Sequence, residues 1–457
     1  MSKLFSKTVI GPLALQNHLV MSPLTRSRAI GNIPNELMAE YYAQRASLGL
    51  IIAEGTSSSP NGLGYARIPG IFSAEQVEGW KLVTKAVHAK GAKMFVQLMH
   101  CGRISHPLNL PKDARVLAPS AVAAAGEMWT DQEGMKPLPV PQAMTADDLK
   151  LTLDEYVWSA KNAVAAGFDG IELHSANGYL LEQFLRPNSN QRTDGYGGSI
   201  EGRSRYVLEV VDATIKAIGK EKVGIRISPF GVFNDMPLYP EMESDYTYLA
   251  RQLNERGLLY IHLVDHSSMG APAIPESIRT MLRSQSNTHL LLSGGYDFKR
   301  AESDLAAGKA DLIVTGKAIL ANPDLQKRWE TGAALNAPDN TQTADQVKTV
   351  VQRIGGTGPG QYFYDPTAFA PVNQARFGTS GLNILLTPNW INLDLSVLRK
   401  FPIRERLALE FHADAYNSLN TPHFDTPSAN VNSASFMQIT SAEQDQRTVR
   451  FGLRLVW

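Results

Sequence analysis

The sequence predicts an α/β protein: a closed (β/α)8 barrel, followed by a β-rich C-terminal segment of a different origin. Three observations carry that expectation. Up to about residue 330, eight short β-rich runs alternate with amphipathic helical patterns, and eight strand–helix units in this length suit a closed barrel. A doubly wound open sheet is the alternative, but it normally shows a Gly-rich turn after its first strand, and Pro23-Leu24-Thr25-Arg26 offers none. After Asn336 the apolar period becomes two, which is the grammar of antiparallel sheet.

Taken in order, the eight runs cover 18–21, 49–53, 93–97, 170–173, 223–227, 259–263, 289–292 and 311–314. Each is short, apolar and bounded by turn residues, as a buried strand is. Between them, 74–90, 146–166 and 199–219 repeat apolar residues at helical spacing, and Gly stops several of these patterns. The stretch 102–142 is rich in Pro and Ala and lacks a period, which predicts a long loop with a hairpin, a candidate lid or substrate wall. Residues 1–336 are thus read as the barrel domain. Residues 337–360 are read as a linker: Pro338, Asp339 and Asn340, a short helical pattern, then Gly355-Gly356-Thr357-Gly358-Pro359-Gly360. Residues 361–457 form a strand-rich tail. There Ile391, Leu393, Leu395 and Val397, then Leu407, Leu409 and Phe411, then Val449, Phe451, Leu453, Leu455 and Trp457 alternate with mostly polar neighbours.

Composition narrows the functional classes. Lys+Arg and Asp+Glu are equal at 44 each, so no overall field draws nucleic acid or an anionic membrane, and small molecules are the expected partners. Cys101 is the single cysteine, which excludes an internal disulfide and a thiolate metal cluster within one chain. The start, Met1-Ser2-Lys3-Leu4-Phe5-Ser6-Lys7, has no apolar core or cleavage site of a secretory signal, and no run of 18 apolar residues occurs. Both point to the cytoplasm.

In a (β/α)8 barrel the C-terminal strand ends converge on one pocket. Here they bring Pro23, Leu24 and Thr25; Glu54, Gly55 and Thr56; Gln97 and His100; His174 and Asn177, followed by Tyr179; Arg226; Gly294-Gly295; and Gly316-Lys317. A lone strand-end histidine is more often structural, but this company makes it a site candidate. Glycines at the seventh and eighth strand ends, with Lys317, suit a phosphate, since backbone N–H groups can approach it closely. Neutral donors and acceptors around Arg226 suit a planar heterocycle with carbonyl and imide edges. No His-x-His pair marks a metal hydrolase, and the sixth run lacks the lysine of a Schiff-base aldolase. No metal is expected.

Residues 1 to about 335 resemble the old yellow enzyme family of FMN-dependent ene-reductases, particularly the N-ethylmaleimide and nitrate-ester reductase branch. The resemblance rests on Ser22-Pro23-Leu24-Thr25-Arg26-Ser27-Arg28, Gln97-Leu98-Met99-His100-Cys101-Gly102-Arg103, and His174 through Tyr179. The loop from Arg186 to Ser199 and the run Ala321-Asn322-Pro323-Asp324-Leu325 extend it in family order. It implies FMN at the barrel mouth and NAD(P)H as reductant in a ping-pong cycle. It also implies Thr25 near the flavin O4/N5 edge, Pro23 among the other cofactor contacts, Gln97 on the pyrimidine edge, Gly55 giving close backbone approach, Arg226 against N1 and O2, and Gly294, Gly295, Gly316 and Lys317 on the phosphate. His174 and Asn177 would bind the carbonyl or nitro oxygen of an electron-poor alkene, Tyr65 would wall the pocket, and Tyr179 would donate the proton that completes hydride transfer from N5. Lys317 stands where most relatives have Arg, Met99 where an aromatic is common, and the family's closing segment is absent after Asp339.

From about residue 341 the resemblance changes. Leu393-Asp394-Leu395-Ser396, Phe401-Pro402-Ile403, Ala415 to Asn420 and Arg450 to Trp457 look like the C-terminal strands of a TonB-dependent outer-membrane receptor. So few strands cannot close a membrane barrel. The two resemblances imply a junction of unrelated coding segments. The alternative is a receptor fragment joined to a barrel with impaired turnover.

Overall fold

The computed structural model of the chain describes residues 2–283, 288–336, 345–357, 360–370, 392–422, 424–428, 435–442 and 446–457. It divides into two compact units, 1–339 and 340–457.

The first unit is a closed eight-stranded parallel barrel. Its strands are β1 (Leu19–Met21), β2 (Leu50–Ser57), β3 (Lys93–Met99), β4 (Gly170–Ser175), β5 (Val223–Ile227), β6 (Tyr260–Val264), β7 (His289–Ser293) and β8 (Leu312–Thr315). Closure comes from β8 pairing with β1, Ile313 opposite Leu19 and Val314 opposite Val20. All eight expected runs are strands, each within a few residues of its expected bounds.

Alternation along these strands feeds two separate cores. Val20, Leu50, Ile52, Phe95, Tyr260, Leu291, Leu312 and Val314 form one buried cluster with Ile10, Leu13 and Leu15. Their neighbours Leu19, Ile51, Val96, Leu173, Ile225, Ile261, Leu292 and Ile313 belong to another, shared with helical residues such as Trp80, Tyr156 and Val207. A period of two therefore turns one set into the barrel and the other toward the helices. Ile10, Leu13 and Leu15 lie on an antiparallel hairpin, Thr8–Ile10 with Leu13–Leu15, which joins the interior cluster. Sequence reasoning missed this hairpin because strands of three residues carry almost no periodic signal.

The helices Ala74–His88, Ala146–Ala165 and Ile200–Ile218 match the expected patterns. Ser73 with Gln76, and Thr145 with Asp148, form reciprocal capping boxes that satisfy first-turn N–H groups. The long 102–142 stretch holds the expected hairpin, Glu127–Thr130 with Gly134–Pro137. In β2 the sequence reading stops at Ala53, but the strand continues to Ser57 through a register shift between Ala53 and Thr56. Gly55 sits in that irregularity, where a Cβ would come within 2.7 Å of Met99 Sδ.

In the second unit, residues 345–357, the described part of the linker with its expected short helical pattern, hold no helix; 337–344 and 358–359 fall outside the described residues. Asp345–Gln346 pairs instead with Phe369–Ala370, and Arg353 bridges to Tyr364. Val347, Thr349, Val350 and Val351 are β-branched, which disfavours a helix. A small core gathers Phe363, Tyr364, Phe369, Phe436, Met437 and Ile439. Three antiparallel strands follow, β9 (Leu395–Arg404), β10 (Leu407–Tyr416) and β11 (Thr448–Val456), with Val397 opposite Ala413 and Ala413 opposite Phe451. Ile391, expected in this alternation, falls outside the described residues. Among the described residues no helix is long and apolar enough to cross a membrane.

Candidate active site

The site is built outward from β4. Six consecutive residues of this strand are buried, and the chain then turns sharply, Asn177 and Gly178 having φ of 58° and 79°. The turn is tied on several sides. Asn177 N–H donates to Ser228 Oγ at 2.9 Å, Asn234 Nδ2 donates to Asn177 O at 2.7 Å, and Gly178 N–H donates to Glu182 Oε2 at 2.7 Å. Glu182 is itself buried and accepts from Arg186 Nη2 and from the Tyr246 hydroxyl, both at 2.7 Å. Tyr179 occupies the N-cap of the short helix Leu180–Leu185. Its ring lies 4.8 Å from that of His174, and its hydroxyl is 3.0 Å from the Tyr65 hydroxyl.

Of these residues Tyr65, Asn177, Tyr179 and Asn234 face a cavity of about 770 Å³. Of the residues expected at the site, Pro23, Tyr65, Asn177, Tyr179, Arg226, Gly294, Gly295, Gly316 and Lys317 line it. His174 adjoins it through its ring contact with Tyr179. Thr25 is exposed and lies outside this lining, as do the buried Gly55 and Gln97. Gln97 instead donates from Nε2 to Glu172 Oε1 at 2.8 Å. Gly294 has φ +139°, and a Cβ there would meet Asp265 O at 2.3 Å, so the β7 turn requires glycine. Gly316 is roomier, its nearest contact for a Cβ being Leu24 at 3.7 Å. Lys317 is exposed and makes no ion pair among the described residues. Leu335 and Asn336 also line the cavity, held back against the barrel by Asn322 Oδ1, which accepts from Asn336 N–H at 2.7 Å.

Burial sets the protonation states. His174 is held well below the ordinary imidazole range by desolvation, and then by the nearby charge of Arg226; it is neutral at pH 7. Desolvation raises the Tyr179 hydroxyl well above the usual phenol range, and Tyr65 is pushed up to about 12, so both stay protonated. Burial also lowers Arg226, which Glu172 opposes. His174 Nδ1, Asn177 Oδ1 and Arg226 Nε are buried without a hydrogen-bond partner among the described residues. Such orphans each cost about 1–3 kcal/mol. Their clustering at one cavity fits a bound molecule that supplies acceptors and a donor to them, as a flat heterocycle with carbonyl edges does.

Sequence reasoning missed two sets of residues. The turn clamp, Glu182, Ser228 and Asn234, comes from three separate segments and left no local signal. Glu172 and His262 did leave one, a polar residue flanked by apolar ones inside a strand, where buried charge is rare. Glu172 Oε2 meets His262 Nδ1 at 2.9 Å, and His262 Nε2 meets Ser293 Oγ at 3.0 Å, all three buried.

The profile of the NADH:flavin oxidoreductase / NADH oxidase family matches residues 3–336, and that of an outer membrane beta barrel domain matches 326–450, as the two sequence resemblances led one to expect. The chain is similar to a probable flavin mononucleotide-dependent alkene reductase of Leishmania infantum, 41% identical over 336 residues, 72% of this chain and 91% of the relative. It is also similar to 12-oxophytodienoate reductase 1 of Oryza sativa subsp. japonica, 39% identical over 344 residues, 73% of this chain and 87% of the relative. Among solved structures, morphinone reductase superimposes with a TM-score of 0.71 at 42% identity, covering 74% of this chain and 92% of that one. The old yellow enzyme homologue from Zymomonas mobilis gives 0.69 at 36% identity, over 73% and 94%.

Proposed function

This chain belongs, over residues 3–336, to the NADH:flavin oxidoreductase / NADH oxidase family, an FMN oxidoreductase of the old yellow enzyme type with a nicotinamide reductant, and we propose that it reduces electron-poor C=C bonds. The substrates in this reading are α,β-unsaturated carbonyls, maleimides or nitroalkenes, with nitro compounds as further acceptors, and the chemistry is cytoplasmic. The observation that carries it is the convergence of Asn177, Tyr179 and Arg226 on one cavity, which His174 adjoins through its ring contact with Tyr179, with orphaned buried polar atoms on His174, Asn177 and Arg226.

FMN, when bound, would supply the two-electron chemistry between NAD(P)H and the alkene. The side chains do the rest. Arg226 would hold the N1 and O2 edge, a fixed cation for the negative charge of the reduced cofactor. Gln97 would hold the pyrimidine edge and Thr25 the O4/N5 edge, with Pro23 among the cofactor contacts, and Gly55 would let the backbone approach closely. Gly294, Gly295 and Gly316 offer backbone N–H groups to the phosphate, with Lys317 as a single point charge rather than a bidentate partner. His174, neutral, donates an N–H to the activating oxygen of the substrate, and the Asn177 amide shares that oxygen, so electrons are drawn from the β-carbon. Tyr179 holds its proton at neutral pH and delivers it to the α-carbon. Tyr65, within hydrogen-bond distance of that hydroxyl, walls the same pocket.

The purified protein tests the reading directly. A yellow preparation, bleached anaerobically by NADPH and recoloured by 2-cyclohexenone, is the expected result. Bound flavin that NADPH reduces but no activated alkene reoxidises would refute the substrate class.

A further inference from the structure

We infer that Glu172 is a positioning residue of this site, locking the orientation of the Gln97 amide and offsetting the charge of Arg226; the inference rests on the FMN-binding reading above. Glu172 is buried at the centre of the barrel, on β4. Its Oε1 accepts from Gln97 Nε2 at 2.8 Å, and its Oε2 lies 2.9 Å from His262 Nδ1. A carboxylate only accepts, so two consequences follow. The Gln97 amide cannot flip without setting oxygen against oxygen, which keeps its Oε1 turned toward the β2 bulge, 3.6 Å from where a Cβ of Gly55 would stand. The His262 proton sits on Nδ1, leaving Nε2 to accept from the Ser293 hydroxyl at 3.0 Å. Burial lowers His262, in keeping with a neutral ring.

The chain Gln97–Glu172–His262–Ser293 therefore crosses the barrel interior from β3 to β7. It joins the residue assigned to the pyrimidine edge to Ser293, which lines the cavity and precedes the Gly294-Gly295 turn. Arg226 lies beside this chain, paired in register with His174 on one side and with His262 on the other. Within the described residues Glu172 is the carboxylate that acts on Arg226. A buried carboxylate in this place costs desolvation that an apolar residue would avoid. Two acceptor contacts at fixed angles and a partial counter-charge are what it supplies in return.

The test compares wild type, Glu172→Gln and Glu172→Asp by FMN uptake of the apo-protein, read as flavin fluorescence quenching, and by the midpoint potential of the bound flavin. Uptake by wild type tests the underlying reading, and differences among variants test this inference. Glu172→Gln should bind FMN about tenfold more weakly, since an amide cannot accept at both ends, and its potential should rise, because Arg226 then acts without its counter-charge. Glu172→Asp should keep the potential while losing affinity, being too short to reach both partners. Wild-type affinity and potential in Glu172→Gln would overturn the inference. So would an equal affinity loss in both variants with no potential change, which describes a merely structural carboxylate. Should Glu172→Gln fail to fold, Glu172→Asp is read with its urea unfolding beside it: weaker uptake at wild-type unfolding free energy supports the assignment, and unchanged uptake, or weaker uptake matched by lost stability, overturns it.

Discussion

β4 and β9 come from the two units and carry the same alternation of side chains, yet all six residues of β4 are buried and all ten of β9 are exposed. In β4, Ile171 and Leu173 join the core shared with the helices, while Glu172 and His174 turn to the barrel interior. In β9, Leu395, Val397, Phe401 and Ile403 keep about half of their surface in solvent. Period decides which side chains share a face, whereas burial needs a layer against that face. β4 has a layer on each side, and a polar residue on it becomes a buried, directed group. A polar residue on β9 stays solvated. The chemistry of this chain is concentrated where strands are enclosed twice.

Substitutions at matched places in the two units test that difference. Tyr179→Phe should slow alkene reduction by about 10²- to 10⁴-fold and leave flavin reduction by NADPH nearly intact, as anaerobic stopped-flow of the two half-reactions would read; equal losses in both would contradict the proton-donor role. Glu182→Ala should cost about 3–5 kcal/mol in urea unfolding, because the buried Arg186 loses its counter-charge. Glu410→Ala in the tail, whose partner Lys400 is half exposed, should cost about 1 kcal/mol or less. Similar costs for the two would erase the distinction.

Leu173→Ala should destabilise by about 2–5 kcal/mol through the cavity it leaves, against about 0.5 kcal/mol or less for the exposed Val397→Ala. Acid titration probes the enclosed side again. Desolvation raises the Glu54 carboxyl from 4.5 to about 7, against hydrogen bonds from Arg26 N–H and the Tyr42 hydroxyl that favour its ionised form. Between those values the folded chain keeps a proton that the unfolded chain has released. Stability from this group is therefore complete below pH 4.5 and is lost as the pH rises to about 7, by about 3 kcal/mol. Glu54→Gln should flatten that decline in unfolding free energy measured across pH 4.5–7; an unchanged slope would exclude Glu54 as its source. The smallest effect belongs to truncation. Ending the chain at Asp339 should change FMN affinity and turnover by about twofold or less, since a unit with its own core folds by itself, and Leu335 and Asn336, which line the cavity, are retained.

Much of the barrel was legible because strand period, helix caps and glycine stops are local. β5, for example, is a run of alternating apolar residues whose limits coincide with the strand. The alternation of Leu407, Leu409 and Phe411 was legible for the same reason. What misled was the stretch 345–357, where weak helical spacing competes with β-branched residues such as Val347, Thr349, Val350 and Val351 and loses. Within the site, His174, Asn177 and Tyr179 stood out because they are adjacent in sequence. Gln97 stood out by its place at a strand end, but Glu172, His262 and Ser293 did not, since the connection from Gln97 through them runs across strands up to 196 positions apart along the chain.

By itself the sequence determined the periods, the turns and the kinds of side chain at each strand end, all properties of neighbours along the chain. Which of those ends face the same space was decided only by closing the barrel, because closure pairs β8 with β1 and turns alternate residues of separated strands toward one axis. The protonation of His174 and Tyr179 was decided there too. A pKa responds to the water excluded around a group, and that exclusion exists only once the layers have packed.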